Sequence, residues 1–342
     1  MNQSSCLLLL FSFLATSFYS CKPRASAPAV AATNGENSVS DKQSNEDSVF
    51  EKQFAFSDLK TDFTKHSVAV DSIHDGGPGK NGIPALDFPE FIETRKAKEF
   101  LSGVDYGIVV QGSAQTKFYP FNILNWHEIV NDVIEGVPVA VTFCPLCGSA
   151  IVYERLLDGD TLNFGVSGKL YESNLLMFDN KTESLWSQAL GEAVAGHYTG
   201  KQLRLFNSFV ISFDEVERNF PDALILNQKT GFDRNYSQHP YTEYLSNQEL
   251  YFPVSRSSTR FQNKEMMYVV THGKASLAFK WTSLVEMGKA TLAIPNGSIQ
   301  VSVKDGVPYA VLGDQRLPGY FSFWFSWYAV HGVDGIVWDK GN

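Results

Sequence analysis

From about Phe54 onward the chain is written in short apolar runs broken by Gly, Pro, Asn and Asp, the spacing of strands and tight turns. GIVVQ (107–111) and KFYPF (117–121) flank a GSAQT turn and predict a hairpin. In FNILNWHEIVNDV, Ile123, Trp126, Val130 and Val133 recur at three- and four-residue spacing, which predicts a helix stopped by EGVP at 135–138. VAVTF (139–143) then reads as a strand running into Cys144. Beyond the Cys-Pro-Leu-Cys-Gly segment, AIVYERL, TLNFGV, LLMFD and ESLWSQ predict further strands, with turns at DGD (158–160) and DNKT. Ser212 and Glu215 form a Ser-x-x-Glu capping box, which predicts a helix over 213–220 ended by Pro221. MMYVV (266–270), SLAFKW (276–281), SIQVSV (298–303), VPYAVL (307–312) and the aromatic tract FSFWFSWYAV (321–330) read as strands.

The fold class expected is α+β, predominantly β, with a few short helices. GIVVQGSAQTKFYPF (107–121) echoes MYVVTHGKASLAFKW (267–281), so a duplicated half-domain is an alternative to one continuous domain. No linker interrupts the run from 51 to 342, which favours a single strand-rich domain.

The N-terminal stretch is different in kind. A continuous apolar run from Cys6 to Ala15 is too short to span a bilayer and predicts a signal peptide over 1–20. Phe18, Tyr19 and Ser20 lead into Cys21, a pattern that resembles the lipobox of bacterial lipoproteins, although Phe18 replaces the usual aliphatic residue. Lipidation at Cys21 is the reading preferred, with ordinary signal cleavage as the alternative, and both place the protein in the cell envelope, on the periplasmic or surface side. Residues 21–50, rich in Ala, Ser, Asn and mixed charge, predict a flexible tether. The expected partner is therefore the membrane, through a lipid anchor.

Composition narrows the rest. At 342 residues, 44% apolar and 13% aromatic, the chain can build a substantial core. A net charge of −9 without any basic cluster argues against nucleic acid as a partner.

With Cys6 removed and Cys21 lipidated, Cys144 and Cys147 are the remaining thiols. Their spacing lets two sulfurs share a metal, close a disulfide, or cycle between the two redox states. GSAIVYER, which follows, lacks a helical period and so departs from a thioredoxin-type pair at a helix N-terminus. Pro145 and Gly148 resemble a rubredoxin or zinc-ribbon knuckle, but one knuckle supplies only two ligands. His127 is the candidate third ligand, with a core-edge histidine as the alternative; Asn131 and Asp132 are candidates to support it, and position 131 rules out His-Glu-x-x-His. GVSG (165–168) lacks nucleophile-elbow spacing, DGGPGKNGIP (75–84) reads as a surface turn, and His197, His239, His272 and His331 are scattered.

FYPFNILNWHEIVND, VPVAVTFCPLCGSAIVYER, LNFGVSGKLYESNLLMFDNKTESLWSQ and TGFDRNYSQHPY together resemble the bacterial family catalogued as domain of unknown function 3179, over roughly residues 70–285. The resemblance implies the domain extent and draws attention to His127, Cys144, Cys147 and Gln188; it implies no reaction, so whether the protein is an enzyme stays open. Three functions remain: a module binding copper or zinc through Cys144, Cys147 and His127; a thiol–disulfide redox protein; and a non-enzymatic ligand-binding or scaffold lipoprotein with a structural disulfide. The identity of any small-molecule or protein partner is not encoded in these motifs.

Overall fold

The computed structural model describes residues 47–49, 51–295 and 297–340. Cys6, Cys21, the signal segment and nearly all of the tether lie outside the described residues. The described chain is dominated by strands, with short helices between them. No described helix is long and apolar enough to cross a membrane.

The order of elements repeats. In the first copy, strands Tyr106–Gln111 and Thr116–Pro120 lead into helix Phe121–His127 and then strands Ile129–Ile134, Val137–Cys144 and Ser149–Glu154. In the second, strands Met266–His272 and Ala275–Lys280 lead into helix Trp281–Met287 and strands Lys289–Ile294, Gly297–Lys304 and Val307–Leu312. Each copy then closes with a strand, a helix and a short strand: Ser208–Ser212, Phe213–Asn219 and Leu224–Leu226 in one, Gly319–Phe323, Trp324–His331 and Ile336–Trp338 in the other.

Pairing obeys the same rule in both. Ser208–Ser212 runs antiparallel to Tyr106–Gln111, as Gly319–Phe323 does to Met266–His272, and the last strand of each copy lies parallel to the second strand of its hairpin. The two closing strands meet where Ser208 stands opposite Gly319, which puts a pseudo-two-fold axis in the middle of the large sheet. The echo between 107–121 and 267–281 is therefore the visible part of a repeat that spans both copies. The copies differ in what they insert. Residues 155–207 of the first contain most of a five-stranded sheet (Ile73–Asp75, Phe164–Tyr171, Asn174–Asp179, Leu185–Ser187 and Glu192–Ala195), whereas the second goes from Val307–Leu312 to Gly319 through one short strand.

The capping box is formed in full: Ser212 Oγ accepts from the Glu215 N–H, and the Glu215 carboxylate accepts from the Ser212 N–H. Two sequence expectations need correction. The helix expected over 121–133 stops at His127, because Glu128 takes a left-handed conformation (φ 57°) and Ile129, Val130 and Val133 continue as a strand. The tract 321–330 is a strand only to Phe323; Trp324–His331 is a helix, buried on so many sides that no amphipathic period shows.

Candidate thiol site

Cys144 ends one strand, Ser149 begins the next, and the turn between them brings both sulfurs inward. Gly148 must be glycine, since its φ is 54° and a Cβ would sit 2.7 Å from the Phe323 ring. Both cysteines are buried and free. Burial pushes the Cys144 thiol well up, as does its hydrogen bond to Cys147. Burial acts on Cys147 in the same direction, yet hydrogen bonds from the Cys144 thiol, the Ser326 hydroxyl and the Asn174 amide outweigh it and hold Cys147 below the usual thiol value. Cys147 Sγ also lies 3.2 Å from the Ser173 carbonyl, a contact that only a protonated thiol can use as donor. The balance of these effects leaves Cys147 the more acidic of the pair.

Gln188 is brought to this site. Its Nε2 donates to Thr142 Oγ1 (3.0 Å) and the Ser149 carbonyl (3.2 Å), while its Oε1 accepts from Ser149 Oγ (2.6 Å) and Asn174 Nδ2 (2.9 Å). It thereby fixes Asn174, which donates to Cys147. Asn174, Ser173 and Ser326 are contributors that the sequence reading missed.

His127 is not brought to the sulfurs. Its Nδ1 meets the Pro84 carbonyl at 2.8 Å and its Nε2 meets the Tyr236 hydroxyl at 2.7 Å, so both ring nitrogens are occupied. Burial lowers its pKa to about 4, which keeps the ring neutral at ordinary pH. Among the described residues no group of three or more His, Cys, Asp and Glu is placed to hold a metal ion, so the expected Cys144, Cys147 and His127 ligand set is not assembled. Asn131 and Asp132 serve the framework instead. Asn131 donates to Asp87 Oδ1 (2.7 Å) and the Phe164 carbonyl (2.8 Å), and Asp132 pairs with Lys117 (2.8 Å) and accepts from Tyr119 (2.6 Å).

The carboxyl group beside the thiols belongs to Glu128. Burial pushes it well above the usual carboxylate value, and any ionisation of Cys144 would push it the same way, so the carboxyl favours its protonated form. Its backbone is as unusual as its charge state. The residue in the same place after the second copy's helix is Gly288, at φ 71°, where the left-handed conformation carries no side-chain penalty. Glu172 and Ser173, the two central residues of the Tyr171–Asn174 hairpin turn, also have positive φ (52° and 60°), and this turn delivers Ser173 and Asn174 to Cys147. Three of the non-glycine residues in this strained region thus converge on one pair of sulfurs, a concentration typical of functional sites. Replacing Glu128 with glycine is expected to raise the unfolding free energy by about 1 kcal/mol, measured in urea; a loss of stability would show that the carboxyl, not the strain, dominates there.

A cleft of about 210 Å³ reaches the site from outside, with Glu128, Leu146, Lys169, Tyr241 and Tyr251 on its walls. One side is a strap of irregular chain, 227–265, between strands Leu224–Leu226 and Met266–His272. Its tyrosines are tied down at each part of the site: Tyr236 to His127, Tyr241 to Glu128 Oε1 (3.4 Å) and Tyr244 to the Leu146 carbonyl (2.8 Å).

No curated protein and no solved structure matches the chain. A family model described as Protein of unknown function (DUF3179) matches residues 80–316, which reaches past the expected 285 into the second copy's last hairpin. The match covers more than half of the chain and takes in the cysteine turn, Glu128, the inserted sheet and the strap, and by it the chain belongs to the DUF3179 family.

Proposed function

We propose that the protein is an envelope thiol–disulfide oxidoreductase whose working pair is Cys144 and Cys147. The observation that carries this reading is geometric: two buried, free cysteines share one strand-to-strand turn, with the buried Glu128 carboxyl on the cleft beside them, and the raised Cys144 and lowered Cys147 pKa point the same way. The Cys147 thiolate attacks one sulfur of a partner disulfide, forming a mixed disulfide and expelling a thiolate. Glu128 gives its proton to that thiolate and recovers one from Cys144. Cys144 then displaces the second thiolate, leaving a Cys144–Cys147 disulfide; two electrons have passed to the partner. Both sulfurs are buried and neither lines the cleft, so the partner enters through the cleft at Glu128 and Leu146 with the Tyr241 side of the strap lifted.

The copper or zinc reading has lost its third protein ligand. Export and anchoring through Cys21 remain part of the proposal, supported by the sequence of the first 21 residues.

The test uses the full chain with Cys6→Ser and Cys21→Ser, reduced, and 4,4′-dithiodipyridine as the disulfide. Two equivalents of thiopyridone per chain and a Cys144–Cys147 disulfide by peptide mapping are expected. Cys147→Ser should slow the reaction at least about 100-fold, and Cys144→Ser should stop it at a mixed disulfide on Cys147. An unreactive pair, or copper or zinc retained at one equivalent and lost in Cys144→Ser, overturns the proposal.

A further inference from the structure

A cavity of about 510 Å³ is separate from the cleft over the thiols and lies on the pseudo-two-fold axis. Its lining comes in pairs that occupy the same place in each copy. Phe121 and Trp281 open the two hairpin-following helices, and Asn125 and Val285 sit one turn further along them. The floor is the seam of the large sheet, where Val210 and Phe321 hold matching positions in the closing strands. Phe121 stacks on Phe143 at 4.1 Å, and Trp281 meets Phe321 edge-on at 4.8 Å, so the two side walls are aromatic.

Three further features give the cavity a chemical preference. No Lys or Arg lines it, the pKa of its one histidine, His239, is lowered by burial, and its one acidic residue, Glu215, is held by the Ser212 cap, so the lining favours a neutral occupant over an anion. Asn125 is buried and its Oδ1 is shut off from the cavity, so the polar group it offers the lining is its Nδ2 amide. Tyr106, Leu245 and Val285 leave large apolar side chains exposed at the lining, where a scattered distribution over the surface would be ordinary.

We infer that this cavity is a binding site for a neutral, largely aromatic small molecule, with Phe121 and Trp281 as the side walls and the Asn125 amide as a polar contact. The volume is within the range of drug-sized ligand sites. Pro145 and Gly148 of the cysteine turn form part of its wall, so the ligand rests against the opposite side of the turn from the cleft at Leu146.

N-phenyl-1-naphthylamine, neutral and aromatic with one N–H, is the probe, titrated by fluorescence into the full chain with Cys6→Ser and Cys21→Ser. Saturable binding at one site per chain is expected, with 1-anilinonaphthalene-8-sulfonate, its anionic counterpart, binding at least about tenfold more weakly because no cation lines the cavity. Val285→Arg, at an exposed position that folding tolerates, should weaken the neutral probe at least about tenfold by filling the entrance. Unsaturable binding, equal affinity for the two probes, or indifference to Val285→Arg overturns the assignment. So does a stable dimer that Val285→Arg dissociates, since a second copy would then be the occupant.

Discussion

Asp132→Ala should cost about 3–5 kcal/mol of unfolding free energy. Lys117 Nζ sits 3.0 and 2.8 Å from the two carboxylate oxygens of Asp132, in a position where neither side chain is more than one-tenth exposed. Tyr119 donates its hydroxyl to the same carboxylate, and Lys117 lies 4.2 Å above the Phe91 ring. Removing the carboxylate leaves an ammonium group in a low-dielectric site with only the Val133 carbonyl (3.2 Å) as polar company, and strands the Tyr119 hydroxyl. The charge dominates: an unpaired buried ion is worth several kcal/mol, a lost neutral hydrogen bond about 1 kcal/mol. The double variant Asp132→Leu/Lys117→Met removes both charges and should regain most of the loss in a urea-denaturation cycle. A single-variant cost below about 1 kcal/mol would mean that the pair is solvated and structurally incidental.

Acid should destabilise the fold over a defined window. His127 and His331 are both held near a pKa of about 4 by burial, against 6.5 for a free imidazole. Between those values the unfolded chain binds two protons that the native one does not, so stability falls as pH drops from 6.5 and stops falling from this source below 4. Glu128 acts in the opposite direction. Its native pKa is raised above the ordinary 4.5, so above that value the folded chain holds a proton that the unfolded one releases. The two imidazoles, joined by His239, whose pKa burial also lowers, outnumber the carboxyl, so net stability falls as pH drops from 6.5 toward 4.5. His331→Leu should make that fall shallower, and Glu128→Gln should steepen it, in denaturation midpoints measured across the window. An unchanged slope in both variants would show that these groups titrate alike in the folded and unfolded chain.

The sequence carried the strands and the capping box because each rests on local rules: alternation, turn residues, a hydroxyl three positions before a carboxylate. It misled where one pattern satisfied two periods. Val130 and Val133 fit a helical face, yet they belong to a strand, because Glu128 adopts a conformation that its residue type does not advertise. The clue lay in the second copy, where the corresponding position is an unremarkable glycine, Gly288. Extending the echo past 281 by a single helix would have paired the two positions and exposed both the repeat and the strained acid. The cysteines were legible from their spacing. Their neighbours were not, since Asn174, Ser173 and Ser326 arrive from a hairpin turn and from a helix far along the chain. His127 looked like a ligand because of its nearness in sequence to Cys144, but the helix end turns it toward Pro84 and the strap.

The strap that closes the thiol cleft is also the connection between the two copies, running from the last strand of one to the first strand of the other. Pairing across the central seam, Ser208 with Gly319 and Ala150 with Phe321, holds the halves together without it. Connector and cover are thus one segment: a single proteolytic cut within 227–265 would free the cover's ends while the halves stay associated, converting a guarded thiol pair into an open one without separating the polypeptide's two parts.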